Sequence, residues 1–417
     1  MLKQIVLIEA VVLAAFGVAY VLSPAGTTAE LSAAITGREE LPSVTIPRRE
    51  PLQVSPLFDR EDIPEIVSPD ELAYVLKRLR PTFDRKGLRP NLVEHALRAW
   101  SVEATFLDPQ ALSGEEMVGF LTDHARFLDS WGSEEEPLLQ VRDAGVAIRW
   151  GRFRSGSVHH DHWLASLTEA GVSLDTPVYG PGRRGDSIET VLRESLRDFR
   201  LDERETEWTA MAFGLWLAPE HQWTGSGGRH YSFDLLARRL MRGECETGVC
   251  VGTHRVYSLV LLTRLDDQFP EVLSDKVRGE VDAHLQSVHD MIAAAQFEDG
   301  HWSGNWPMGE DALTAEADGK LSTLIIATGH HLEWQAIAPA HLRLSDAQNR
   351  KAVEWLLATL RSHTDEDVLA NYTFYSHVAN ALALWRKTRP TPFWQEWTAA
   401  HPGYEVNLLP AVNLPGE

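Results

Sequence analysis

Val256-Tyr257-Ser258-Leu259-Val260-Leu261-Leu262, read at helical period, has no polar face. A helix that is apolar on every side must be buried on every side. Val378-Ala379-Asn380-Ala381-Leu382-Ala383-Leu384-Trp385 reads the same way. Around these stretches lie helices of a second kind, with one apolar stripe and clear start signals. Ser68 with Glu71, Ser113 with Glu116 and Ser345 with Gln348 have capping-box spacing, and Pro69 stands at a first helical position. Leu72, Val75, Leu76 and Leu79 form the stripe of the first; Val353, Leu356, Leu357 and Leu360 form that of the last. One-sided helices belong on an outer layer. The expected outer spans are 68–80, 113–131, 187–199, 231–241, 274–296 and 345–363.

The inner helices begin alike. Glu94-His95-Ala96-Leu97, Asp161-His162-Trp163-Leu164, Glu207-Trp208-Thr209-Ala210, Thr253-His254-Arg255-Val256, His330-His331-Leu332-Glu333 and Ser376-His377-Val378-Ala379 align. Their second positions, 95, 162, 208, 254, 331 and 377, are 67, 46, 46, 77 and 46 residues apart. Three equal steps and two longer ones read as a repeat with insertions. Outer and inner helices alternate, and no strand pattern intervenes beyond residue 68. The expected fold is therefore all-α: an (α/α)6 toroid of six helical hairpins over 68–390, with a C-terminal tail over 391–417. One hairpin cannot bury its apolar face alone, whereas a closed ring of six can. An open solenoid is the alternative, but it would leave a concave polar face that the inner helices lack.

Ahead of the repeat, Met1-Leu2-Lys3 introduces an apolar run from Ile5 to Leu22 broken only by Glu9, then small residues. That layout reads as a signal anchor or a cleavable signal peptide over 1–25. Lys3 favours the orientation that places everything after it outside the cytoplasm. The domain is then extracytoplasmic and single-pass tethered, or secreted if the signal is cleaved; the membrane is met through this segment only. Residues 26–67 are rich in Pro and charge without a sustained period, and read as a tether. The 417 residues carry 39 Lys+Arg against 60 Asp+Glu, a net charge of −21 that argues against a nucleic-acid partner. Two cysteines exclude a disulfide framework. Fourteen Trp against eight Tyr is an unusual surplus, read mostly as core and loop anchors.

In a ring of parallel inner helices, all their N-termini lie at one mouth. That mouth would gather His95, His159, His160, His162, His254, His330, His331 and His377 with Glu94, Asp161, Glu207 and Glu333. Histidine serves as acid, base or metal ligand near neutral pH. Cys245-x4-Cys250-x3-His254 adds a second possibility. In an exported chain, a local Cys245–Cys250 disulfide is the first reading. The alternative is zinc on Cys245, Cys250 and His254, with His330 or His331 completing the set.

Two motifs resemble known families. Gln296-Phe297-Glu298-Asp299-Gly300-His301-Trp302 is similar to the QW-type repeat of terpenoid cyclases and protein prenyltransferases, which are α/α toroids. The resemblance implies a structural role for Gln296, Asp299, Gly300 and Trp302. The acidic signature of the cyclases is missing, and Asp365-Glu366-Asp367 is the nearest approach to it. Gly329-His330-His331-Leu332-Glu333-Trp334 resembles a segment of acylglucosamine and cellobiose 2-epimerases, again α/α toroids, with Thr328 where they usually carry Pro. It implies an acid/base role for His330 and a sugar-contacting or His-orienting role for Glu333. The expected function is acid/base chemistry on a sugar or glycan by His330, Glu333, His254 and His377, with no cofactor unless zinc is held. A ligand- or partner-binding scaffold and a terpenoid-cyclase-like enzyme are the alternatives.

Overall fold

Side-chain caps start most of the outer helices. In the computed structural model, which describes residues 17–18, 44–54, 63–143, 145–242, 249–316 and 320–406, Ser68, Ser113 and Ser345 each close a full capping box. They open α1 (Pro69–Arg78), α3 (Gly114–Thr122) and α12 (Asp346–Ser362). Ser232 and Ser274 accept from backbone N–H groups at the starts of α8 (Phe233–Met241) and α10 (Asp275–Ala295), and α6 spans Ile188–Asp198. The expected single helix over 113–131 is two, because Asp123 turns extended (φ −122°, ψ 111°) and caps α4 (His124–Trp131) through Ala125 N–H. The break lets Thr122 and His124 exchange backbone hydrogen bonds with Tyr179.

The inner helices are α2 (Pro90–Trp100), α5 (His162–Glu169), α7 (Glu207–Leu217), α9 (Thr253–Gln268), α11 (Leu321–Ile337) and α14 (Tyr372–Trp385). Residues 256–262 of α9 are all buried, as expected of sequence without a polar face, and so is every residue of α5 and α7. In order, α2 packs on α5, α5 on α7, α7 on α9, α9 on α11 and α11 on α14; α14 packs back on α2. Outside them α3 lies on α2, α8 on α7 and α9, α10 on α9, α12 on α11 and α1 on α14. Gly329 lets α11 and α14 approach, since a Cβ there would stand 3.0 Å from Val378 Cγ2.

Tryptophans tie the layers together by donating to backbone carbonyls of neighbouring elements. Trp100 donates to Leu79 at 3.0 Å, Trp163 to Leu121 at 3.2 Å and Trp385 to Leu332 at 2.9 Å. Each buries a large ring and still satisfies its one polar atom. The Gln296–Trp302 turn works in the same way. Gln296 Nε2 donates to Gly300 and Gln348 carbonyls at 2.9 and 3.0 Å, and Trp302 Nε1 donates to Ile292 at 2.8 Å. Gly300 has φ +104°, and a Cβ there would lie 2.4 Å from the Lys351 carbonyl carbon. Asp299 Oδ1 stands 2.6 Å from His301 Nδ1 and accepts from the His301 N–H at 3.5 Å.

Several expectations need correcting. Among the described residues there are three two-stranded antiparallel hairpins: β1 (Leu139–Val141) with β2 (Val146–Ile148), β3 (Pro177–Val178) with β4 (Asp186–Ser187), and β5 (Gln222–Thr224) with β6 (His230–Ser232). They are too short to show a period of two. The late part of the expected tether is docked: Leu52 N–H donates to Leu215 O at 3.1 Å and Arg48 Nη1 to Trp216 O at 3.3 Å. Residues 63–67 are packed too, with Ile63, Ile66 and Val67 buried. The expected tail instead begins with α15 (Pro390–Ala400), which lies on α1, α2 and α14 and buries Trp394. Among the described residues no helix is long and apolar enough to cross a membrane. Apart from residues 17 and 18, the run from Ile5 to Leu22 lies outside them.

Candidate functional site

One ring side chain from each inner helix meets at a single level. Centroid distances are 4.5 Å for His95–His162, 4.2 Å for His162–Trp208, 4.2 Å for Trp208–His254, 4.3 Å for His254–His330, 3.9 Å for His330–His377 and 5.2 Å for His377–His95. The contacts close into a cycle, and all six residues are buried. The fifth member is His330, one residue before the aligned His331. His331 points away among Trp302, Trp306 and Trp334, where its Nδ1 accepts from Trp334 Nε1 at 3.0 Å. Nor is this level a mouth of helix N-termini. His162, Trp208 and His254 are the first, second and second residues of their helices, but His95, His330 and His377 are the sixth, tenth and sixth. The helix dipole therefore bears on three of the positions only.

A polar layer lies one turn deeper. Arg98 crosses it, donating through Nε and Nη2 to Glu169 and pairing through Nη1 with Glu333 Oε1 at 2.9 Å. Glu169 also accepts from Tyr257 OH at 2.8 Å, and Glu333 Oε1 from Asn380 Nδ2 at 2.7 Å. Glu333 Oε2 accepts from His330 Nδ1 at 2.9 Å. His377 Nδ1 stands 2.8 Å from Arg98 Nη1 and 3.2 Å from Glu333 Oε2. Arg98 is a donor only, so at Nη1 it can offer a hydrogen to His377 beside its ion pair with Glu333. His330 carries its hydrogen on Nδ1 for the Glu333 carboxylate, while the tautomer of His377 decides whether its Nδ1 accepts from Arg98 or donates to Glu333.

Close to Glu333, both nitrogens of His254, Nε2 of His330 and Nε2 of His377 are left without a hydrogen-bond partner; farther round the ring, so is Nε2 of His162. Burial, reinforced by the neighbouring imidazoles, holds His254 and His377 well below the usual range, and burial lowers His330 despite Glu333. Burial alone would raise Glu333, but Arg98, His377 and His330 outweigh it and keep the carboxyl well below its ordinary value. The site therefore presents neutral imidazoles around an ionised carboxylate. Beside them, burial and the charge of Glu333 push the Cys250 thiol up to about 12. One donor atom each from Cys250, His254 and His330 lies within 4.8 Å of the others, and the same holds for His330, Glu333 and His377. Either group could hold a metal ion. Cys250 carries a free thiol, and Cys245, the partner expected for it, lies outside the described residues.

Comparison of the chain with family models, curated proteins and solved structures finds no match. The chemistry must be read from the geometry.

The structure brings His254, His330, Glu333 and His377 into one cluster. His162 joins the ring, and its Nδ1 touches Glu94 Oε2 at 2.5 Å. Burial lifts the Glu94 carboxyl to about 8 against the pull of Ser157 and His159. His159 faces Glu205 at 2.7 Å and stacks on Trp208, and His160 is turned to Glu203 at 3.0 Å. Asp161 accepts from Ser195 and Thr209, and Glu207 pairs with Arg255 at 3.0 Å; both hold helix starts. Asp365 of the acidic triplet pairs with Arg78 at 2.7 Å, and Asp367 caps α13 (Asp365–Ala370), away from the ring. Sequence reasoning missed Arg98, Glu169, Tyr257 and Asn380. A signal was there for three of them: Arg98, Tyr257 and Asn380 each follow a ring histidine by three residues, as Glu333 does, on the same helix face.

Proposed function

We propose that the chain is an (α/α)6 toroid enzyme working at a metal ion, zinc by its donor set, held by Cys250, His254 and His330. The cyclic order of inner-helix contacts supports the toroid. The observation that carries the site is the set of buried, unpartnered imidazole nitrogens next to a half-buried thiol. Buried polar atoms are nearly always satisfied, so such a group calls for an occupant. A thiolate with two imidazoles suits zinc, and three protein ligands leave a fourth position open. Tetrahedral ligands stand about 3.3–3.8 Å apart at zinc distances, so donors within 4.8 Å need close by no more than about 1.5 Å. Glu333 fixes the His330 ring by accepting from Nδ1, which leaves Nε2 as the ligand atom. With Nδ1 accepting from Arg98, His377 would present Nε2–H to the same space as a proton donor. A zinc ion there would supply Lewis acidity and an activated water.

Metal analysis of the purified chain tests this. About one equivalent of zinc is expected, lost in both His330→Ala and Cys250→Ser. Wild-type protein that stays metal-free after incubation with zinc sulfate would remove the proposal. Acid/base chemistry on a sugar without metal is the second reading, favoured by the direct His330–Glu333 hydrogen bond. Turnover of a sugar that survives chelation would select it. With residues 5–22 as anchor or signal, the site works outside the cytoplasm; fractionation of cells that express the full chain tests that placement.

A further inference from the structure

A pocket of about 380 Å³ lies against the ring, between the β1–β2 hairpin, the loop that follows it, and α6. That volume falls within the usual range of small-molecule sites, about 300–1,000 Å³. Its wall toward the ring is made of Ser157 and His159. His159 packs on His162 at 6.0 Å and on Trp208 at 6.3 Å, so the pocket touches two ring positions through one residue, and Ser157 Oγ donates to Glu94 Oε2 at 3.0 Å, behind His162. Two aromatic side chains stand at its outer edge, Trp150 at 50% and Phe153 at 54% exposure. Trp150 is held edge-on by His160 at 5.4 Å, and Phe153 lies under the Arg149 guanidinium at 5.6 Å.

Most charges of this pocket are already compensated; Arg142, which donates to Gln140 Oε1, is the exception. Glu194 and Asp198 face Arg197, Asp161 faces His160, and Glu136 faces Arg149. Arg149 also donates to three backbone carbonyls. A strongly charged ligand would have to break these pairs. A neutral ligand with many hydroxyls would instead find acceptors and donors around its rim and an aromatic face to lie on. We infer that this pocket is a binding site for a neutral pyranose sugar, stacked on Trp150 and Phe153 and positioned beside the histidine ring. The apolar C–H face of a pyranose matches the exposed indole, and its hydroxyls match the paired carboxylate and guanidinium groups. As substrate class this rests on the proposed site in the ring; as a binding site it stands without the metal.

The test is saturation-transfer NMR on the purified full chain with methyl α-D-glucopyranoside, methyl α-D-galactopyranoside, methyl α-D-mannopyranoside, N-acetylglucosamine and cellobiose. Adenosine and spermidine serve as a flat heteroaromatic and a cationic control. At least one sugar is expected to bind saturably, with affinity about tenfold weaker in Trp150→Ala and a smaller loss in Phe153→Ala. Both residues are half exposed, so the melting temperatures of the variants should stay at the wild-type value. Binding of none of the sugars, sugar binding unchanged in Trp150→Ala, or binding of only adenosine or spermidine overturns the inference. Repeating the titration after chelation separates the two proposals. A sugar signal on metal-free protein keeps the pocket even if zinc analysis fails, and zinc without any sugar signal keeps the metal site alone.

Discussion

Glu94→Gln should make the protein more stable at pH 8 and leave it nearly unchanged at pH 5. Glu94 is fully buried beside His162, and its carboxyl is lifted from 4.5 to about 8. Between those values the folded chain holds a proton at Glu94 that the unfolded chain has released. Stability therefore falls as pH rises through this window, and the loss is complete above about 8. The difference of 8 − 4.5 = 3.5 amounts to about 5 kcal/mol at about 1.4 kcal/mol for each pH unit. The neutral amide escapes that loss. His162 Nδ1 and Ser157 Oγ both meet Oε2, so an amide nitrogen placed there donates to His162 and the Ser157 hydroxyl turns acceptor. The variant should gain under about 1 kcal/mol at pH 5 and about 4 kcal/mol at pH 8 relative to wild type. Urea unfolding of both proteins at pH 5, 6, 7 and 8 measures this, and taking the difference cancels every other titrating group. A gap that stays flat across the series, or a wild type more stable at pH 8, refutes the burial argument for Glu94.

Arg98→Met leaves Glu169 and Glu333 without their shared cation and should cost about 3–5 kcal/mol; thermal melting reads it, and adding Glu169→Gln should restore part of the loss. Gly300→Ala must relieve both a φ of +104° and a Cβ 2.4 Å from the Lys351 carbonyl carbon, so its melting temperature should fall by an amount equal to about 3 kcal/mol. Glu71 is held at about 2, chiefly by the hydrogen bond from Arg350. Its contribution is full above pH 4.5 and lost as pH falls toward 2, so Glu71→Gln should cost about 1 kcal/mol at pH 7 and nothing at pH 2; the pH dependence of melting checks it.

Local signals carried most of the helix boundaries. Capping serines and one-sided stripes placed α1, α6, α8, α10 and α12 to within about two residues of their observed ends, because those features act over a single turn. The ring was readable as a repeat, but spacing could not choose between His330 and His331. Both are histidines, and they point about 100° apart on the helix. Only the neighbouring rings of His254 and His377 decide it. The N-terminal position of the layer failed because α11 begins at Leu321 without a side-chain cap, nine residues before its ring member. The deeper polar layer hid for another reason: Arg98 and Glu169 are 71 residues apart, and no local pattern joins them. The docking of residues 48–54 was equally invisible, since Arg49 finds its partners at Asp175 and Glu189.

The contact of α14 with α2 also constrains how the chain acquires its structure. Arg98 is synthesised 279 residues before His377. Until α11 exists the guanidinium has Glu169 to face but no Glu333, and until α14 exists it lacks His377 and α2 has a bare apolar side. Contacts of such sequence separation are slow to form, because loop closure must precede any gain from them. A chain emerging amino end first would thus hold an unfinished edge through most of its synthesis, at a place rich in Leu, Val and Trp. Stop codons placed just before Tyr372 should give insoluble product, whereas truncation after residue 406 should not.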